Sequence, residues 1–257
     1  MSKDKTVEAS AKATPASPLF YQKPEALNAG RHGDLRLRQT GDFAFARKTN
    51  SLQITASEFG AVARNFPIVF AGDEHYPAAV LGLDIENLFV DDAGKWAENA
   101  YVPAYVRRYP FAFISFDDGK QFALGVDRAS AQLITDEDDK SVALFADGKP
   151  TQITDDALRF CIAFQNDHAV TKTFVQALAE QNLLVEVQYA APMAMGKYIS
   201  LKGFQVVDAN RFQNLPDAVV LDWHRKGWLG LVQFHLASQE HWKALTNRQA
   251  AVFATAA

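Results

Sequence analysis

Hydrophobic and polar positions change period several times along the chain. Leu35-Arg36-Leu37-Arg38 and Phe43-Ala44-Phe45, with Gly41-Asp42 between them, repeat every second residue and predict two short strands. Thr55-Ala56-Ser57-Glu58 is a capping-box pattern ahead of Phe59, Val62, Ala63 and Phe66 at helical spacing, and Pro67 ends that helix. Ile68-Val69-Phe70 and Ala78 to Leu83 are apolar runs bounded by Gly72-Asp73 and Gly82, which predicts strands. Ile85 to Val90 runs into Asp91-Asp92-Ala93-Gly94, a turn whose glycine can take positive φ. The clearest hairpin joins Phe111–Phe116 to Phe122–Val126 through Asp117-Asp118-Gly119-Lys120, and Phe145-Ala146-Asp147-Gly148 offers a further turn.

Beyond residue 150 the helical period dominates. Thr154 or Asp155 is placed to cap a long helix carrying Leu158, Cys161, Phe164, Phe174 and Leu178, ending near Asn182. Val185 to Tyr189 alternates strictly and is expected to pair with Tyr198 to Val207. A helix after Pro216-Asp217 closes at Gly227, Leu229 to Leu236 reads equally as helix or strand, and Ser238 is placed to cap a last helix through Trp242, Leu245 and Val252. Strands early and helices late predict an α+β fold: mainly antiparallel sheet in the N-terminal half, with helices concentrated in the C-terminal half. Residues 1–18, rich in Lys, Ser, Ala, Thr and Pro, read as a disordered tail, and 19–257 as one ordered α+β unit without internal repeats.

Composition narrows the function classes. The 257 residues carry 26 Lys+Arg against 30 Asp+Glu, a net charge of -4 that argues against a broad nucleic-acid surface. The mean hydropathy is -0.14, and no apolar run approaches the ~18 residues of a spanning helix, so no membrane insertion is expected. The N-terminus shows no apolar h-region, so the expected location is cytoplasmic. The single cysteine, Cys161, forms no intramolecular disulfide; set among Phe160, Ile162 and Phe164, with His168 two turns away, it reads as a core residue rather than a nucleophile.

Few residues carry recognisable chemistry. His224, His235 and His241 lack metal-ligand spacing, and His224-Arg225-Lys226 reads as ordinary stabilisation of a helix C-terminus. Asp136, Asp138 and Asp139 open like a calcium loop, but Ser141 and Asp147 stand where glycine and glutamate are needed. Asp84 and Glu86 would share one face of a strand, as an acid/base pair requires, or else lie at an exposed strand end. No GxSxG, P-loop or GxGxxG pattern occurs, and neither metal nor cofactor is expected. The unusual stretch is Trp96 to Phe113, where Tyr101, Tyr105 and Tyr109 surround Arg107 and Arg108. Arginine grips carboxylate or phosphate bidentately and stacks on rings, so this stretch is a candidate anion-recognition surface; Arg31, His32, Arg36 and Glu86 would join it if the fold brings them near. The bland alternative has the tyrosines in the core and the arginines neutralising local acids.

Several ordered motifs carry a family resemblance. Arg31-His32-Gly33-Asp34-Leu35-Arg36-Leu37, Glu58-Phe59 through Phe66-Pro67-Ile68-Val69-Phe70, Asn87-Leu88-Phe89-Val90 and Tyr101-Val102-Pro103-Ala104-Tyr105-Val106-Arg107-Arg108-Tyr109-Pro110-Phe111 resemble the bacterial SapC family. Gly203-Phe204, Val207-Asp208, Leu215-Pro216 and Gly227 to Trp242 are similar to it too. The resemblance implies an accessory or structural role at the bacterial surface, since the family takes its name from a surface-layer locus. Members accompany flavin-dependent halogenase-like proteins, cupins and TonB-dependent receptors, which implies uptake or modification of a small molecule or peptide. It supplies no catalytic residues. The leading expectation is a non-catalytic binding or assembly factor whose partners are proteins of a surface-layer or uptake system, or a small anionic ligand or peptide. The competing one is an enzyme or carrier in which Arg107 and Arg108 hold an anion while Asp84, Glu86 or a histidine moves a proton.

Overall fold

The computed structural model of the chain describes residues 19–116, 121–192 and 198–255. The first half runs β1 (Pro24–Ala26), α1 (Ala29–His32), β2 (Arg36–Arg38), β3 (Ser51–Gln53), α2 (Phe59–Val62), β4 (Ile68–Ala71), β5 (Tyr76–Val80), α3 (Ala104–Arg107), β6 (Phe111–Phe116) and β7 (Gln121–Asp127). Short strands β8 (Leu133–Ile134), β9 (Ser141–Ala143), β10 (Phe145–Ala146) and β11 (Lys149–Pro150) follow, then the long helix α4 (Gln152–Glu180). The chain closes with β12 (Leu184–Pro192), β13 (Tyr198–Val207), α5 (Ala209–Gln213), α6 (Asp217–Arg225), α7 (Trp228–Ser238) and α8 (His241–Thr255). The predicted α+β class holds, with antiparallel sheets mainly in the first half and the long helices in the second. No helix among the described residues is long and apolar enough to cross a membrane.

The largest sheet has the order β12-β13-β4-β5-β3 and is antiparallel throughout. The late hairpin β12–β13 therefore completes a sheet begun by β3, β4 and β5, through the pairing of Phe204 with Ala71. A second sheet, β1-β7-β6, contains the predicted hairpin, whose turn at 117–120 lies outside the described residues, as does the predicted tail at 1–18. A third, β8-β2-β9, is held across β2 by ion pairs from Arg36 and Arg38 to Glu137 and Asp138. Buried side chains gather in two clusters. One is built on Phe59, Phe66, Phe70, Phe174, Leu178 and Trp242; the other on Leu35, Phe111, Leu124, Val126, Leu144 and Cys161. Helix α4 serves both, because Cys161 packs in the second and Phe164, Phe174 and Leu178 in the first.

Several predicted elements are displaced for local reasons. Phe43 to Phe45 is not a strand. Asp42 Oδ1 accepts from Ala44 N (2.8 Å) and the chain enters a 3-10 turn at Ala44–Ala46, while both rings pack against the core. The long helix begins at Gln152, since Thr154 spends its hydroxyl on Leu144 O (2.7 Å) rather than on a cap. Leu229 to Leu236 resolves as helix within α7. Ser238 is the last residue of α7 and not the cap of α8; buried, it donates to His235 O (2.6 Å) and accepts from Ile68 N (2.9 Å), pinning α7 to β4.

The strand expected over Ala78 to Leu83 is β5, ending at Val80, and Ile85 to Val90 forms bends and turns. Gly82 makes the bend possible: a Cβ there would lie 1.9 Å from the carbonyl oxygen of Glu86. Side-chain amides replace ladder bonds along this irregular stretch. Gln249 Oε1 accepts from Leu83 N (3.1 Å), Asn87 Nδ2 donates to Ala46 O (3.2 Å), and Asn65 Oδ1 accepts from Tyr101 N (3.0 Å). Gly94 takes positive φ (74°) in the predicted turn, beside an isolated bridge between Val90 and Trp96.

Candidate functional site

The arginine and tyrosine segment is positioned by a buried carboxylate far away in sequence. Thr55 and Glu58 form the capping box read from the sequence, with Glu58 Oε2 accepting from Thr55 N (2.9 Å) and Thr55 Oγ1 (3.1 Å). The other oxygen, Oε1, accepts from Ala104 N (2.6 Å) and from the Tyr101 hydroxyl (3.1 Å). Helix α3 is a single turn and makes few bonds of its own. Glu58 satisfies one of its orphan N–H groups and so fixes where Arg107 and Arg108 leave the backbone.

Successive helical residues point about 100° apart, so the two arginines enter different surroundings. Arg107 is exposed. Its Nε donates to Val102 O (3.0 Å), an Nη to the Tyr101 hydroxyl (3.0 Å), and its guanidinium lies 5.6 Å and 5.2 Å from the ring centroids of Tyr101 and Phe160. It lines a hollow of about 240 Å3 with Ser57, Glu58, Phe160, Phe164 and Asp167. Ser57 Oγ donates to Asp167 Oδ2 there (2.7 Å). Arg108 turns inward onto the rings of Tyr105 (4.2 Å), Phe164 (4.5 Å) and Tyr21 (5.8 Å), and its buried Nε has no hydrogen-bond partner among the described residues. Burial raises the phenols of Tyr21 and Tyr105, an effect that the Arg108 charge opposes. Burial likewise pushes the Cys161 thiol up to about 11, so the cysteine is the inert core residue that the sequence implied. Among the described residues neither arginine reaches a carboxylate within ion-pair distance.

Tyr109 lies beside this cage. It stacks on Phe45 (centroids 4.1 Å apart) and donates to Asp127 Oδ2 (3.0 Å); burial, reinforced by that carboxylate, pushes its phenol up to about 12. Asp127 is fully buried and also accepts from the backbone N–H groups of Gln22, Lys23 and Ala129, tying the entry to β1 onto the end of β7.

The remaining predicted residues lie elsewhere. Arg31 pairs with Glu25 (3.0 Å) in the open, while buried His32 accepts from Asn28 N through Nδ1 (3.0 Å) and sets Nε2 3.6 Å from Glu25. Arg36 is consumed by Ser141 Oγ (2.8 Å) and Glu137 (2.9 Å). Glu86 sits in the 82–86 bend with exposed Asp84, so the two do not share a strand face. The structure thus gathers Tyr105, Arg108 and Tyr109 around Tyr21, puts Arg107 in the adjoining hollow, and separates Arg31, His32, Arg36 and Glu86 from them. Glu58, Asp127 and Phe164 are not among the site residues expected from sequence; of the three, Glu58 has the one local signal that bears on the site, its capping box.

Of the C-terminal histidines, His235 is fully buried and accepts from Val207 N through Nε2 (3.0 Å), burial taking it down to about 3; His241 Nε2 lies 2.8 Å from Ala63 O. Among the described residues no three His, Cys, Asp or Glu side chains are grouped to hold a metal ion. The SapC family model matches residues 27–245 of the chain. Comparison with curated proteins and with solved structures returns no match.

Proposed function

The chain belongs to the SapC family, and from that premise we propose that it is a non-catalytic binding or assembly protein linked to the bacterial cell surface. In this reading the segment 101–109 recognises an acidic group on a partner protein of a surface-layer or uptake system, or on a small ligand or peptide. The observation that carries it is the state of the arginines. Arg31, Arg36, Arg38, Arg47, Arg128, Arg159 and Arg211 each meet a carboxylate. Arg107 and Arg108, like Arg64, Arg225 and Arg248, meet none among the described residues, and these two lie side by side in sequence on a cluster of aromatic faces. A guanidinium seated on a ring keeps N–H groups in its plane for the paired oxygens of a carboxylate or phosphate. In a chain with more acids than bases, leaving cations unpaired on a defined surface favours an external anion as their partner.

Proton transfer has less support. A general base needs a free lone pair at the substrate, whereas Glu58 and Asp127 spend their oxygens on backbone N–H groups and hydroxyls. The competing enzyme or carrier, working beside halogenase-like and TonB-dependent systems, would draw on Asp84 and Glu86, which the 82–86 bend keeps off a common strand face. Fractionation of cells producing the tagged full-length chain tests the surface link. Recovery with the envelope, released by high salt, is expected; wholly cytosolic material overturns it.

A further inference from the structure

A second surface, independent of the 101–109 segment, has the features of a ligand site. Helix α8 and residues 86–98 enclose two joined hollows of about 490 and 610 Å3 that share Phe89, Ala97, Glu98 and Arg248. This is the size range of small-molecule sites. The groove is walled by the long irregular stretch between β5 and α3, and connections of that length without helix or strand are uncommon unless functional.

Its charges are unevenly spent. Arg47 pairs with Asp92, and Asp91 accepts from the backbone N–H groups of Ala93 and Lys95; the other charged side chains of the lining are Glu86, Glu98, Arg64, Lys95 and Arg248. Among the described residues none of these three cations reaches a carboxylate within ion-pair distance. An exposed arginine is ordinarily left to water, but Arg248 is seated 4.4 Å from the ring centroid of buried Phe89, which orients its fork. Trp96, 8% exposed, lies in the same lining and places a fluorophore beside the groove.

We infer that this groove binds an organic oxyanion, a carboxylate or phosphate carried on an apolar body. Arg64 and Arg248 take the oxygens, and Leu88, Phe89 and Val90 pack against the body. Calorimetric titration of the full-length protein with phenyl phosphate, 4-phenylbutyrate and inorganic phosphate tests this, and the two organic probes separate phosphate from carboxylate. At least one organic probe is expected to bind saturably, about tenfold more weakly to Arg248→Ala and to Arg64→Ala, with intermediate loss in Arg248→Lys and none in Arg159→Ala, whose guanidinium pairs with Asp156 on the surface of α4. Arg64 and Arg248 are exposed, so unchanged melting of their variants separates lost binding from lost folding. Trp96→Phe should also remove part of the fluorescence change on binding. The inference is overturned if neither organic probe binds at millimolar concentration, if Arg248→Ala binds like the parent, or if inorganic phosphate binds as tightly as both organic acids.

Discussion

Glu58→Gln probes the joint on which the arginine segment hangs. The carboxylate receives Thr55 N and Thr55 Oγ1 on one oxygen, Ala104 N and the Tyr101 hydroxyl on the other. A glutamine presents one oxygen and one NH2. Either hydroxyl can rotate to accept from that NH2, but a backbone N–H cannot, so Thr55 N or Ala104 N is left buried and unpaired at a cost of roughly 1–3 kcal/mol. The bonds that survive lose their ionic assistance, roughly 1 kcal/mol more. The sum, about 2–4 kcal/mol, corresponds for a chain of this size to a Tm lower by roughly 4–16 °C. Urea and thermal melts followed by circular dichroism at pH 7 measure it, with a lower midpoint and an unchanged m-value expected. A Glu58→Gln protein within about 0.5 kcal/mol of the parent would refute the four-bond description of this site.

Other consequences are open to measurement. His235 is held neutral down to about pH 3, whereas an unfolded histidine protonates below about 6.5, so protons favour the unfolded chain between those values. Its contribution is complete above pH 6.5 and falls by up to about 1.4 kcal/mol per pH unit on acidification; urea melts from pH 7 to 4 should show a shallower loss in His235→Gln, and parallel curves would count against the assignment. The Cys161 thiol, buried and raised to about 11, should resist a disulfide reagent at pH 8 until the protein is unfolded, and prompt labelling of native protein would contradict its burial. Gly82→Ala must move the Glu86 carbonyl and should cost roughly 2–4 kcal/mol in urea melts; a neutral substitution would mean that the bend differs from the one described.

The fold was legible wherever local pattern and tertiary demand agreed. The β6–β7 hairpin, the β12–β13 pair, the body of α4 and the Thr55–Glu58 box all follow from period, turn residues or spacing. Legibility failed where a side chain answers to a distant partner. Ser238 has the chemistry of a cap but bonds Ile68 across the core, and Phe43 and Phe45 alternate like a strand because both rings pack inward from a 3-10 turn. The candidate site was legible as a composition, arginines among tyrosines, but not as a geometry. Nothing local shows that Glu58 carries α3, that Arg107 and Arg108 diverge, or that Arg31, His32 and Arg36 are occupied by Glu25, Asn28, Glu137 and Ser141.

The central claim is that Arg107, seated on Tyr101 and Phe160 and within ion-pair distance of no carboxylate among the described residues, recognises an acidic group. Calorimetric titration of the full-length protein with triglutamate and with succinate, beside Arg107→Ala and Arg107→Lys, tests it most directly. The account predicts saturable, salt-sensitive binding of at least one probe, weakened about tenfold in Arg107→Ala and only partly restored by lysine, which keeps the charge but not the planar fork. Equal affinity in the parent and Arg107→Ala, or no binding of either probe at millimolar concentration, would contradict it.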